Sequence, residues 1–188
     1  MVRKRNIPSP LKKTTRGKAA KTKSAKSSKK PENTVEKKSS KSRQPQKPSF
    51  PIVGIGASAG GLEALERFLS NMPHKTGTAF VIIQHLDPKH KSIMGLLLKK
   101  HTKLEILEVK NRMKIKPDCV YLNPPSKYVA IMNHSFCVTD PIEPHGARLP
   151  IDYFFRSLSE TRGEKSVGII LSGTGTDGTL GLKAIKSA

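Results

Sequence analysis

Three short apolar runs set the terms on which this chain can fold: Pro51-Ile52-Val53-Gly54-Ile55, Thr78-Ala79-Phe80-Val81-Ile82-Ile83 and Val167-Gly168-Ile169-Ile170-Leu171. None alternates polar with apolar residues, so each reads as a strand buried on both faces, as in a parallel sheet covered by helices. The segments between them supply those helices. From Gly61, residues Leu62, Leu65, Phe68, Leu69 and Met72 recur at helical spacing until Pro73 stops the pattern. Ile93, Met94, Leu97 and Leu98 mark a second helix, and Ile106 to Val109 a weaker strand. Behind Pro150, a residue suited to a first helical turn, Ile151, Phe154, Phe155 and Leu158 form another apolar stripe. Leu180, Leu182 and Ile185 mark the last helix. The expected class is α/β, a doubly wound and mostly parallel sheet. Residues 118–139 interrupt the rhythm. Cys119 to Leu122, Tyr128 to Met132 and Phe136 to Thr139 read as short strands joined by turns, and we expect them to form a short antiparallel excursion.

Before Phe50 the composition is of another kind. Residues 1–50 hold 17 basic and 2 acidic side chains, nine apolar residues and five prolines, within a chain carrying 35 Lys+Arg against 14 Asp+Glu. So little apolar surface cannot offset the entropy of ordering the backbone. The expected organisation is a disordered Lys-rich tail over residues 1–49 and one folded domain over residues 50–188. The tail's charge suits electrostatic attachment to nucleic acid or to an anionic membrane surface, and equally a simple solvated tether. It has no aromatic residue before Phe50 on which a base could stack. Cys119 and Cys137 have neither disulfide-scaffold nor zinc spacing, which points to a reducing compartment. No apolar stretch has the length of a membrane span or the form of a secretory leader. The expected location is the cytoplasm.

In open parallel sheets, chemistry gathers where strands end and feed into helices. Three such ends are polar here. Gly56-Ala57-Ser58-Ala59-Gly60 fits the G-x-S-x-G elbow, in which small flanking residues let a sharp turn hold out a seryl hydroxyl. Gln84-His85 ends the second strand, and Asp177 lies in the Gly-rich loop after Leu171. Ser58, His85 and Asp177 could converge as nucleophile, general base and orienting carboxylate. Their chain order is not that of α/β-hydrolases. Other readings stand beside this one. Gly54-Ile55-Gly56-Ala57-Ser58-Ala59 half fits a dinucleotide fingerprint, with Asp87 as its acid, which would make the domain a nucleotide-binding module. A non-catalytic protein tethered by its basic tail is the other alternative. Singly, Ser58 could cap the first helix, His85 could be a satisfied loop histidine and Asp177 could cap the last helix. No residue set has metal-ligand spacing, and neither a metal ion nor a cofactor is expected.

Five blocks carry a resemblance: Ile55-Gly56-Ala57-Ser58-Ala59-Gly60-Gly61, Val81-Ile82-Ile83-Gln84-His85, Tyr121-Leu122-Asn123-Pro124-Pro125, Pro150 to Leu158, and Ile170 to Gly178. In this order they resemble the catalytic domain of CheB-type chemotaxis protein-glutamate methylesterases. The resemblance implies a Rossmann-like domain that hydrolyses glutamyl methyl esters on chemoreceptor signalling helices and releases methanol. Many relatives also deamidate glutamine. It implies Ser58 as nucleophile, His85 as general base and Asp177 as the acid that orients it. The backbone N–H groups of Ala59 and Thr174 fall where the family builds its oxyanion hole. Well-known members carry Thr at the position of Ala59 and Met at that of Thr174, and either change leaves a backbone donor in place. The family continues past the last helix with a further strand, so the expectation is a domain lacking its C-terminal strand. Methylated chemoreceptor helices are the implied partner, together with a methyltransferase of the same pathway or of a fused chain. The expectation is that no phospho-receiver domain precedes the catalytic blocks.

Overall fold

The computed structural model describes residues 50–58, 60–86, 93–172 and 175–188. The expected tail of residues 1–49, Asp87, and both oxyanion positions, Ala59 and Thr174, lie outside the described residues. Five parallel strands form the central sheet: β1 (Ile52–Ala57), β2 (Ala79–Gln84), β3 (Glu105–Glu108), β4 (Cys119–Leu122) and, after a hairpin, β7 (Ser166–Ser172). Their spatial order is β3-β4-β2-β1-β7. The hairpin pairs β5 (Tyr128–Met132) with β6 (Ser135–Thr139) antiparallel. Helices α1 (Gly61–Ser70), α2 (Met94–Leu98), α3 (Pro150–Arg162) and α4 (Thr179–Lys186) complete the order.

The strand pleat divides the core in two. Val53, Ile55 and Ala57 of β1, Phe80 and Ile82 of β2, and Val120 and Leu122 of β4 face the α1 side with Leu65, Leu69 and Leu98. Ile52, Val81, Ile83 and Tyr121 face the opposite side, with Phe154, Phe155 and Leu158 of α3, Phe136 of the hairpin, and Leu182 and Ile185 of α4 packed against them. Helices thus cover both faces, as the unalternating strands require. Each fully buried Phe or Leu in these layers contributes about 1.5–3 kcal/mol relative to exposure.

Two expectations need correction. Cys119–Leu122 is not part of the antiparallel excursion: it is an inner strand of the parallel sheet, paired with β2 on one side and β3 on the other. The connection from β3 to β4 carries no helix. Instead its backbone runs against the hairpin, with Arg112 N donating to Phe136 O (2.8 Å) and Phe136 N to Met113 O (2.9 Å). A four-residue apolar strand between turns has the length and composition of a hairpin strand, and only its pairing partners show that it is parallel. Secondly, Val167–Leu171 is not fully buried. Among the described residues β7 pairs with β1 alone, and Val167 and Ile170 are 42% and 36% exposed.

Gly54 and Gly56 owe their presence to α3. A Cβ on Gly54 would lie 2.8 Å from the Phe155 ring, and one on Gly56 would lie 2.7 Å from Ile151 and 2.6 Å from Ile170. The half-matched dinucleotide fingerprint is therefore a packing requirement, which lets α3 lie directly on β1. Gly54→Ala is expected to cost about 1–3 kcal/mol through overpacking, read as a lower urea midpoint with an unchanged slope.

Candidate active site

The elbow after β1 is built by exclusion of side chains. Gly60, at the N-cap of α1, has φ +88°, a backbone that L side chains rarely adopt. Gly61 starts the helix where a Cβ would lie 2.8 Å from both the Ala57 Cβ and the Ser172 Oγ. Ser58 sits just outside this turn, its N–H donating to Ser172 O (3.1 Å) and its carbonyl accepting from Gly61 N (2.9 Å). The N-cap residue of α1, Gly60, has no side chain with which to cap the helix.

Register places the base. Ala57 pairs with Gln84 of β2 on one side and Ser172 of β7 on the other. Neighbouring strands run about 4.8 Å apart, so Ser58 and His85, each one residue past that pair, adjoin at the carboxyl edge of the sheet. Among the described residues no hydrogen bond joins the Ser58 hydroxyl to the His85 ring. The end of β2 is held by Asn123, buried just after β4. Its Oδ1 accepts from Gln84 N and its Nδ2 donates to Gln84 O, both at 2.9 Å. A side-chain amide thereby stands in for a neighbouring strand at the residue before His85.

His85 Nε2 lies 2.9 Å from Asp177 Oδ2. An ionised carboxylate only accepts, so the ring proton belongs on Nε2 and the lone pair on Nδ1. The His85 side chain is 40% exposed and that of Asp177 only 8%. Asp177 does not cap α4, the helix that follows it. It caps α3, with Oδ2 accepting from Ile151 N (3.0 Å) and Oδ1 from Asp152 N (2.8 Å). These are orphan donors of a first helical turn, where negative charge is also favoured by the helix dipole. The same end of α3 receives Tyr128, whose hydroxyl accepts from Leu149 N (3.3 Å). Burial holds the Tyr128 phenol above its ordinary 10.0 and so keeps it neutral. Beside His85 opens a cavity of about 230 Å³ lined by Leu86, Asn123, Lys127, Tyr128 and Arg148. Lys127 is ion-paired with Asp140.

The structure thus brings two of the three expected side chains, His85 and Asp177, into direct contact and sets Ser58 on the adjoining strand end. Sequence reasoning missed Asn123 and Tyr128. For Asn123 a signal existed, since it is polar and immediately follows a buried strand; for Tyr128, read as an apolar strand residue, there was none.

The family model described as CheB methylesterase matches residues 53–188. The chain belongs to the CheB methylesterase family. A Leptospira interrogans protein provisionally named protein-glutamate methylesterase/protein-glutamine glutaminase is 32% identical over 141 residues, covering 73% of this chain and 72% of that protein. A Photorhabdus laumondii protein of the same double name is 30% identical and also matches 73% of this chain, but only 40% of its own length is covered. The crystal structure of the Thermotoga maritima CheB methylesterase catalytic domain superposes with a TM-score of 0.69 at 26% identity, covering 74% of this chain and 76% of that one. Membership of this family agrees with the α/β fold and gives no support to a nucleotide-binding module.

Asn123→Ala removes both bonds to Gln84 and leaves a buried N–H and C=O unpaired. A loss of about 2–4 kcal/mol is expected, measured by equilibrium denaturation.

Proposed function

We propose that this chain is a serine-type hydrolase of glutamyl methyl esters on chemoreceptor signalling helices. The observation that carries the reading is the 2.9 Å contact of His85 with Asp177, whose side chain is 8% exposed, at a strand end that adjoins Ser58. Ser58 Oγ attacks the ester carbonyl while His85 Nδ1 takes its proton, and the charge formed on the ring is balanced by Asp177. The N–H groups of Ala59 and Thr174, assigned by family resemblance, stabilise the tetrahedral oxyanion. His85 returns the proton to the departing methoxide, so methanol leaves and a glutamyl ester of Ser58 remains. Water then attacks and gives a proton to His85, which returns it to Ser58 Oγ as the acyl bond breaks; the freed glutamic acid loses its own proton to solvent and leaves as the carboxylate. Glutamine deamidation follows the same steps with ammonia as the leaving group, and the relatives carry both activities in their name.

The neutral ester becomes an anion on hydrolysis, so the reaction adds negative charge to the receptor helix that a methyltransferase removes again. No described helix is long and apolar enough to cross a membrane, and a cytoplasmic setting suits a substrate on the signalling helices of receptors. A nucleotide-binding function is disfavoured because α3 side chains already fill the space over Gly54 and Gly56.

The test is methanol release from a methylated receptor helical fragment by the purified chain. Ser58→Ala is expected to abolish release while keeping a cooperative melt, since a small side chain fits the elbow. Activity that survives this substitution would remove Ser58 from the mechanism. Asp177→Asn should lower kcat by about 10³–10⁴-fold, because an amide can present an N–H to His85 and favour the wrong tautomer. It also sets a donor against one of the α3 amides. A near-normal rate would take Asp177 out of the triad.

A further inference from the structure

Asp152, in the first turn of α3, is buried (3% exposed), and its carboxylate meets α4. Its Oδ1 accepts from Gly181 N at 2.6 Å. Gly181 is the third residue of α4, whose N-cap is Gly178 and which has no side-chain cap of its own. Asp152 thus serves α4 as Asp177 serves α3. The carboxylate before α4 holds the start of α3, and the carboxylate in the start of α3 holds α4. The two bonds close a ring: Asp152 N to Asp177 Oδ1, along the chain from 177 to 181, and back from Gly181 N to Asp152 Oδ1. The ring can close only because residue 181 is glycine. A Cβ there would lie 2.5 Å from the Phe155 Cβ and 3.2 Å from the Asp152 Cα.

We infer that Asp152 is a positioning residue for the hydrolysis: by capping α4 it fixes the backbone that carries Asp177, and so the direction in which Asp177 meets His85. This rests on the esterase reading above. Residues 177 to 181 are gripped at both ends, at the Asp177 side chain by α3 and at the Gly181 amide by Asp152. Without the second grip the turn through Gly178 can rotate about the first, and Asp177 Oδ2 has to serve Ile151 N and His85 Nε2 from a carboxylate no longer set in direction. A displacement of about 1 Å in a catalytic group is worth about 10²-fold in rate.

The experiment compares Asp152→Ala, Asp152→Ser and Asp152→Asn with the unmodified full chain and Ser58→Ala. Each is read by kcat and KM for methanol release and by the ¹⁵N spectrum of the His85 ring, assigned with His85→Gln. The Ala variant has no acceptor, and the Ser hydroxyl is too short to reach Gly181; the Asn variant keeps an amide oxygen at the same place. Expected for Ala and Ser is a kcat lower by about 10²-fold with KM within about twofold, and loss of the fixed Nε2–H signal to tautomer averaging. Asn is expected to restore both. Should Ala fail to fold, Ser and Asn carry the comparison. Truncated variants that melt earlier but keep the kcat and ring signals of the unmodified chain would reduce Asp152 to a stabilising clamp and overturn the inference, as would Asn behaving like Ser. Release that ignores Ser58→Ala sinks the esterase reading instead, and the ring spectrum still decides the role of Asp152.

Discussion

The first turn of α3 is where the molecule's needs meet. A helix start leaves N–H groups without intrahelical partners, and in this chain the residue at the N-cap of α3 is Leu149, which has no side chain able to accept from them. Tyr128 and Asp177 take on that task from two separate parts of the chain. The consequence reaches beyond satisfying donors. The carboxylate that completes the helix is the one that touches His85, so the demand to cap α3 and the demand to orient a base are met by one side chain. Mutating it would damage both.

That arrangement is useful only if α3 itself cannot shift. Three constraints hold it. Phe154 and Phe155 lie against β1 over Gly54, where no other residue would leave room. The hairpin is tied to its middle, with Ile131 N donating to Ser157 Oγ at 3.2 Å. At its far end Arg162 is buried, donates to Phe50 O and places its guanidinium 5.6 Å over the Phe50 ring. Burial lowers the pKa of that guanidinium from its ordinary value, yet so strong a base stays charged at neutral pH, where it also suits a helix C-terminus. The helix that positions Asp177 is therefore pinned at its start, its flank and its end.

Much of this was legible before the structure. Unalternating strands and stripes at helical spacing led to the sheet and the helices, and polar residues at strand ends led to His85 and Asp177, which the structure brings into contact, and to Ser58 on the adjoining strand end. What escaped was what depends on partners distant in sequence. Cys119–Leu122 has the length and composition of a hairpin strand, and only its pairing with β2 and β3 shows otherwise. β7 is as apolar as β2, and pattern alone does not tell how far each of its residues is covered. Asp152 sits in a helix start, where an acid is ordinary, and nothing local says that its carboxylate serves another helix. Gly181 likewise looks like a weak spot in a helix until Phe155 is seen against it.

The two halves of the site rest on different physics. The turn that carries the proposed nucleophile is defined by what is missing: no Cβ at Gly60, where φ is +88°, or at Gly61, where one would meet Ala57 and Ser172. The base is defined by hydrogen bonds that each have a single direction, through Asn123 at the end of β2 and through Asp177 at the start of α3. With Nε2 committed to Asp177, the nitrogen left to take a proton is Nδ1, the one nearer the backbone of the strand end that adjoins Ser58. In the proposed mechanism, proton transfer then depends on how the ends of β1 and β2 are aligned, and parallel pairing of Ala57 with Gln84 sets that alignment one residue before Ser58 and His85.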